Sequence, residues 1–373
     1  LEEISLLGGI ALGILMGIKH TPQTLEREAA SMTASEIRST IAGVGAFLPG
    51  HRVSSDEIAQ RVQATTGFVL PPGYIERMTG IRERRHAADE QQPSDLASEA
   101  GRRAVVDAGL TVHDVDTLIF ASASHDLIEP AVANLVQQKL GMARVPAFDV
   151  KNACNSLLTA TDLADGLIRA GKAERVLIVA GETPSRFVDY RIRNADDLKV
   201  LFSGLTLGDG GGAILLRKAD DPQYGIHYTR FHSFGEHWDL AVVLGGGAFR
   251  PHDPDAMYFR CHARDLFDVA VSKVVPEISE AVATLGWSAE EVNLVVPHQV
   301  SDQIVRQIAA GLGAEANRCA LSLAYLGNTV AASVPITLDQ ARQEGRLKKG
   351  DKVLLVGGSS GFSSGVIGLV WSY

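Results

Sequence analysis

Cysteine is scarce in this chain: three residues in 373, at positions 154, 261 and 319. No spacing forms a C-x-x-C pair and the count is odd, which argues against a disulfide framework or a structural metal site. A reducing, cytoplasmic setting fits better. The other histidines, eleven counting His298, show no metal-ligand spacing either. Basic charge is also short, with 35 Lys and Arg against 44 Asp and Glu and a net charge of −9. That balance argues against a nucleic-acid partner, which usually demands a basic face. It says little about small anionic substrates, which local patches decide. Low-complexity segments and extended linkers are absent. The apolar run at 4–18, ISLLGGIALGILMGI, is shorter than the roughly 20 residues a spanning helix needs. It also lacks the basic start and small-residue cleavage site of a signal peptide, so nothing firm points to a membrane. No Met opens the chain, so part of this stretch is expected to be non-native or incidental, with Met32 as a candidate natural start and a docked helix or a membrane contact as the alternatives. Residues 1–38 are therefore set apart as an extension of uncertain origin.

What is present is an enzyme-like core: 46% hydrophobic residues, 21% charged residues and 37 glycines. These are ordinary values for a soluble α/β protein with many tight turns. The chain also repeats itself. GLTVHDVDTLIF (109–120) matches GWSAEEVNLVVP (286–297), and RVLIVAG (175–181) matches KVLLVGG (352–358), both at an offset of 177 residues. Two matches at one offset indicate a duplicated α/β unit. The expected halves are 39–218 and 219–373.

The first half opens with a strand in IAGVGAFLP (41–49) running into a Gly/Pro turn. A helix is expected over 93–108, with Ser94 as N-cap and Asp95 in its first turn. Strands follow at 117–124 and 147–150 around a helix at 130–140. A helix from about Cys154 to Ala170 then leads to the strand 175–182. Residues 186–203 have no counterpart at the offset and read as a charged excursion over a site, before the sheet resumes at 205–217. The second half repeats the plan with helices at 264–285 and 301–312 and strands at 292–297, 352–357 and 365–371. Such alternation implies strands covered on both faces.

Cys154, in DVKNACNSLLTA, sits where a strand turns into a helix. The unpaired N–H groups and partial positive charge of a helix N-terminus are expected to lower its pKa and favour a nucleophilic thiolate. A lone Cys on an apolar face would otherwise read as a small buried hydrophobe. His298 follows the apolar strand LVVP, where a side chain projects into the crevice at the strand's C-terminal end; alone, it could equally be a structural histidine. Asn328, in LGNTVAASVP, reads by itself as a turn or cap residue. The duplication changes these readings. It puts symmetric strand ends side by side, so that Cys154, His298 and Asn328 share one site.

IAGVGAFLP, TGIRERR (79–85), FDVKNAC (148–154), VVPHQ (295–299), GNTVAASVP (327–335) and GGSSGFSSG (357–365) together resemble β-ketoacyl-acyl-carrier-protein synthase III of the thiolase superfamily. The resemblance covers about residues 39–373. It implies a five-layered αβαβα fold of two duplicated halves, a homodimer, and the triad Cys154, His298 and Asn328. By the same resemblance the cysteine is acylated by a thioester, and the His and Asn hold the second substrate's oxygen as it becomes an enolate. Backbone N–H groups of Cys154 and Ser360 would form the oxyanion hole. The implied substrates are CoA or phosphopantetheine thioesters, delivered as acyl-CoA or on an acyl-carrier protein, with no cofactor and no metal.

Departures from the family pattern are informative. The aromatic that packs on the CoA adenine is matched by Tyr74, and two arginines that grip CoA fall on Met78 and Leu201. Arg186, Arg191, Arg193 or Lys199 are candidates to replace them, and Phe362 is a further candidate substrate contact. The loop SASHDLIEPAVANLVQQKLG (122–141), with NAC, GET (181–183), LTLG (205–208) and GRLKKGDK (345–352), is similar to head-to-head condensing enzymes of long-chain olefin synthesis, and related pyrone-forming enzymes share features of it. In those enzymes a Glu before a Pro reaches the active site of the partner subunit and acts as base; the matching residue is Glu129. The Gly-Asp-Gly at 208–210 instead follows ordinary synthase III sequences.

Glu129 therefore decides the expected chemistry. A malonyl extender makes its enolate by losing CO₂, whereas a simple acyl thioester must lose an α-proton to a positioned base. The balance of these features leans to non-decarboxylative joining of two acyl chains, with decarboxylative condensation of malonyl-carrier protein as the alternative. Two further readings are acyl transfer to an alcohol or amine, which needs no enolate and so no Asn328, and a non-catalytic subunit, which needs no triad.

Overall fold

In the computed structural model of the protein, residues 37–313 and 316–373 are described, so the N-terminal extension lies almost wholly outside them. The first half forms a five-stranded sheet from β1 (Ser39–Phe47), β2 (Thr117–Ala121), β3 (Ala147–Val150), β4 (Arg175–Glu182) and β5 (Gly210–Lys218). Their order is β1-β5-β4-β2-β3. The second half forms a four-stranded sheet from β6 (Gly225–Ser233), β7 (Val292–Pro297), β8 (Lys352–Ser359) and β9 (Ser363–Val370), in the order β6-β9-β8-β7. Strand for strand the two orders are the same. In each half the two repeat-bearing strands pair in parallel, and the next strand in the chain runs antiparallel beside the second of them. Even the extra edge strand β3 has a remnant: β2 pairs Leu118 with Ala147, and β7 pairs Val295 with Cys319 through one isolated bridge.

Helices complete five layers. α1 (Pro93–Asp107) and α2 (Val132–Leu140) cover the outer face of the first sheet. α4 (Ala263–Thr284) packs on the second sheet with α5 (Asp302–Leu312) beside it. Between the sheets lie α3 (Ser156–Arg169) and α6 (Ser333–Gln343), each touching strands of both halves. Their first residues, Ser156 and Ser333, are again 177 apart. Glycine in the first sheet lets α1 seat its backbone directly on the strands. A Cβ on Gly45, Gly181 or Gly211 would come within 2.3, 1.8 and 2.2 Å of the carbonyl oxygens of Ala100, Pro93 and Leu96.

Most expected boundaries hold closely, but the strand expected over 117–124 ends at Ala121, that expected over 205–217 begins at Gly210, and two helix starts shift. Gln92, not Ser94, takes the N-cap position of α1, because Pro93 opens the first turn, where a missing N–H costs nothing. Ser94 instead donates its hydroxyl to Asp126. The helix expected from Cys154 begins at Ser156, preceded by a 3₁₀ turn over Ala153–Asn155. Among the described residues no helix is long and apolar enough to cross a membrane.

Candidate active site

The turn Ala153–Asn155 places Cys154, and its backbone is unusual. Ala153 has φ 46°, the left-handed region that costs an L-residue roughly 1–2 kcal/mol. The Ser156 hydroxyl closes this turn by donating to the Ala153 carbonyl at 2.7 Å while accepting the Asn152 N–H at 2.8 Å. Asn155 then ties the turn to the second half by donating to the Ser363 carbonyl and hydroxyl, both at 3.0 Å. Gly357 makes room for this crossing, since a Cβ there would sit 1.9 Å from Asn155 Oδ1. The backbone N–H groups of Cys154 and Ser360 lie near enough to the Cys154 sulfur to draw its pKa down, as two preorganised donors would around a developing oxyanion.

The second half supplies the remaining polar groups. His298 directly follows β7 and donates its backbone N–H to the Val356 carbonyl of the neighbouring β8 at 2.8 Å. Its ring is buried, Nδ1 lies 2.6 Å from the Ser333 hydroxyl, and Nε2 has no hydrogen-bond partner among the described residues. Burial lowers its pKa to about 4, so the imidazole is neutral. Asn328 sits in a bridge with Leu207 of the first half. Its Oδ1 accepts the Val330 N–H at 2.9 Å, which leaves Nδ2 as its open, hydrogen-bond-donating end. The turn Val330–Ala332 contacts the turn of Cys154 and strand β4, while the Cys154 turn contacts β8. Each half thus inserts its turn against the other's central strand.

At the 177-residue offset the counterpart of Cys154 is Ala331, that of His298 is Ala121, and that of Asn328 is Lys151. The pseudo-symmetric fold builds one site because only one copy of each position carries a functional side chain.

Electrostatics reverse one expectation. The Cys154 thiol is pushed up to about 12, first by burial and then by the nearby Glu182 carboxylate. The two N–H groups oppose this without winning, so the resting group is a thiol and not the expected thiolate. Glu182 itself is fully buried at the end of β4, and burial raises its pKa to about 6. It accepts the backbone N–H groups of Ala123 and Ser124 at 2.8 and 3.0 Å. Those residues begin the loop that carries Glu129, so Glu182 fixes the root of that loop. Glu129 lies further along it, on the surface of the chain.

Around Cys154 an apolar cluster joins Val188, Ile192, Leu201, Leu205, Leu207 and Val330. The excursion 186–203 therefore packs around Cys154, through the helix Ala195–Leu201 and the turn after it. Tyr74 borders the same cluster half-buried, with its ring edge-on to Phe202 at 5.6 Å. Two of the proposed replacement arginines are already engaged. Arg186 is held by Gln92 and by the carbonyls of Ala88, Asp89 and Gln91. Arg191 grips both oxygens of Asp189, bonds Asp255 at 2.7 Å and stacks on Tyr258. Their guanidiniums brace the excursion and do not offer a free phosphate grip. Lys199 pairs with Asp196, and Arg193 is exposed. Phe362 is 1% exposed and packs in the second-half core beside Phe234, so it supports the Gly-rich loop from behind. All three cysteines are free, and among the described residues no group of three or more His, Cys, Asp or Glu is placed to hold a metal.

Glu182 and Ser333 were missed from sequence. A signal was available for Ser333: the 177 offset applied to the helix start at Ser156 lands on it. Glu182 lay within the GET motif (181–183), but that motif does not record its burial near Cys154.

Fold and site together define a thiolase-type condensing enzyme: two duplicated halves, a cysteine at one turn, and His and Asn donors from the other half. Comparison with known proteins agrees. Family models for 3-oxoacyl-(acyl-carrier-protein) synthase III and for its C-terminal region match residues 148–235 and 282–371. The β-ketoacyl-(acyl-carrier-protein) synthase III of Rhodospirillum rubrum is 37% identical over 334 residues, covering 88% of this chain and 98% of that protein. Among solved structures, synthase III (FabH) of Pseudomonas aeruginosa PAO1 superposes with a TM-score of 0.79 at 29% identity, covering 90% of this chain and 99% of the other. A cysteine-to-serine variant of Xanthomonas campestris OleA, with bound lauric acid and lauroyl-CoA, gives 0.81 at 27%, covering 90% and 100%. The chain belongs to the β-ketoacyl-(acyl-carrier-protein) synthase III family. It is a ketosynthase, an acyl-transferring enzyme that condenses acyl thioesters in a Claisen reaction.

Proposed function

We propose that the enzyme joins two acyl thioesters without decarboxylation, through an acyl-Cys154 intermediate and with Glu129 as the base. In the first half-reaction the Cys154 sulfur attacks the thioester carbonyl. The charge on that oxygen is received by the N–H groups of Cys154 and Ser360, and the leaving thiol departs with the proton that Cys154 gives up. In the second, the α-carbon of another thioester loses its proton. Its oxygen is held by His298 Nε2 and Asn328 Nδ2, and the carbanion attacks the acyl carbonyl and releases the Cys154 sulfur. A carbon–carbon bond forms as the carbon–sulfur bond breaks.

The observations that support the condensing chemistry are the donors: two backbone N–H groups that act on the Cys154 sulfur, an unpartnered buried His298 Nε2, and an Asn328 whose Oδ1 is occupied so that Nδ2 is left to donate. The acyl-joining form rests on the Glu129 loop, which resembles that of head-to-head condensing enzymes and whose root is fixed by Glu182 next to Cys154. Glu129 is exposed on a single chain, as a base delivered across a homodimer interface would be. The engaged Arg186 and Arg191 favour delivery on a carrier protein at least as much as on CoA. The reading needs no cofactor and is consistent with a cytoplasmic enzyme.

A second reading has support of its own. The relatives are named for carrier-protein synthase III activity, and Gly208-Asp209-Gly210 follows the pattern of that family. Asp209 is fully buried and receives the N–H groups of Ala87 and Ser185. In that case malonyl-carrier protein supplies the enolate by losing CO₂. Mass spectrometry of products from acyl-CoA alone, against acyl-CoA plus malonyl thioester, separates the two. Acyl–acyl product from acyl-CoA alone, abolished by Glu129→Ala, supports the proposal. A strict malonate requirement with normal turnover in Glu129→Ala overturns it.

A further inference from the structure

The same residue starts the central helix of each half, yet its hydroxyl is used differently. In the first half Ser156 donates to the Ala153 carbonyl three residues back and closes the nucleophile's own turn. The corresponding acceptor for Ser333 would be the Val330 carbonyl. Ser333 does not use it: its Oγ lies 2.6 Å from His298 Nδ1. The difference follows from the other half of the pair, because the counterpart of His298 is Ala121, which has no ring to reach.

We infer that Ser333 is a positioning residue that fixes the tautomer of His298, placing its single proton on Nε2 and so making that atom a hydrogen-bond donor to the substrate oxygen. The argument is one of proton accounting. A neutral imidazole carries one N–H, and the Ser333 hydroxyl carries one O–H. If Nδ1 held the ring proton and donated it to Ser333, the serine proton would need another acceptor. Ser333 Oγ makes no other hydrogen bond among the described residues, and the residue is fully buried. A buried donor left unpaired is costly. With the serine as donor and Nδ1 as acceptor, the serine proton is paired within the fold, and the ring proton goes to Nε2, the unpartnered atom, where the substrate oxygen would accept it. Asn328 is oriented by the same logic, since Val330 N–H occupies its Oδ1 and leaves Nδ2 to donate. Two donors then serve one oxygen, and His298 cannot act as a base at Nε2. The Ser333 backbone is braced in turn, because Thr337 donates to its carbonyl at 2.7 Å and shares a hydroxyl contact with Ser322.

This inference rests on the reading of His298 as an oxyanion donor, and its test is built to fail separately from that reading. Solid-state ¹⁵N NMR of histidine-labelled full-length protein, with His298→Gln identifying the His298 signals, reads the tautomer directly and without turnover. The expected wild-type result is an unprotonated Nδ1 and a protonated Nε2, with Ser333→Ala shifting protonation toward Nδ1 and Ser333→Thr keeping the wild-type pattern. In parallel, Ser333→Ala should condense roughly threefold to tenfold more slowly at saturating substrate, with KM and Cys154 acylation unchanged. Acylation also serves as the check on folding. A proton on Nδ1 in the wild type, or an unaltered tautomer in Ser333→Ala, overturns the inference even if His298 proves essential.

Discussion

Ala153 and Val330 occupy the same place in the two halves, 177 residues apart, and share one strained backbone, with φ at 46° and 50°. Each opens a 3₁₀ turn that leads into a central helix. For a β-branched residue such as Val330 this conformation is an outlier that the surroundings must enforce. The enforcing groups differ between halves. Ser156 closes the turn at Ala153, whereas Asn328 holds the N–H of Val330. One backbone device thus presents Cys154 in the first half and follows Asn328 in the second.

The strain predicts an asymmetric tolerance at position 153. Ala153→Gly relieves the left-handed cost but loosens the unfolded chain, so the two effects offset and stability should change by less than about 1 kcal/mol. Ala153→Val adds a branched side chain where φ is positive and should lower stability by about 1–3 kcal/mol. Thermal unfolding of both variants checks this. Equal stability of the two would remove the strain argument.

The resting thiol predicts slow chemistry in the absence of substrate. With its pKa pushed up to about 12, Cys154 should react sluggishly with iodoacetamide at neutral pH, and the rate should climb steadily as pH rises toward that value. Glu182→Gln removes a negative charge beside the sulfur and should lower the thiol pKa, speeding alkylation at a given pH. A rate plateau below pH 8 in the wild type would show the thiolate expected of a simple helix-terminus cysteine.

Arg191 is predicted to matter for the wall over the site more than for substrate affinity. Its removal leaves Asp189, which is buried, without its bidentate partner, a loss of about 1–3 kcal/mol. Arg191→Ala should therefore lower the melting temperature while the KM ratio between acyl-CoA and acyl-pantetheine stays unchanged. A selective rise in KM for acyl-CoA would return the residue to the role of a phosphate grip.

Much of this was legible in the sequence, for a physical reason. Buried parallel strands and the helices between them repeat apolar patterns that survive duplication, so the 177 offset placed both sheets and pointed to Cys154, His298 and Asn328 as one site. The remainder depended on contacts that no local pattern records. Free arginines and arginines clasped by Asp189 or by loop carbonyls read alike in sequence. Burial overrode the helix-terminus effect at Cys154, and burial is a property of the packed fold. Phe362 sat in the right motif, but its ring turned into the core. Ala153 and Val330 carry no residue signature of positive φ, because the usual marker, glycine, is absent from both positions.

The central claim is a division of labour: Cys154 carries the acyl group, while His298 and Asn328 hold the next thioester's oxygen as it becomes a nucleophile. Asn328→Ala tests it most directly, by intact-protein mass spectrometry and product analysis of the same reaction, with Cys154→Ala as control. The account predicts one acyl adduct on Asn328→Ala at wild-type stoichiometry and none on Cys154→Ala. It also predicts that carbon–carbon product from Asn328→Ala falls on the order of a hundredfold or more. An adduct persisting in Cys154→Ala, or parallel loss of acylation and condensation in Asn328→Ala, would contradict it.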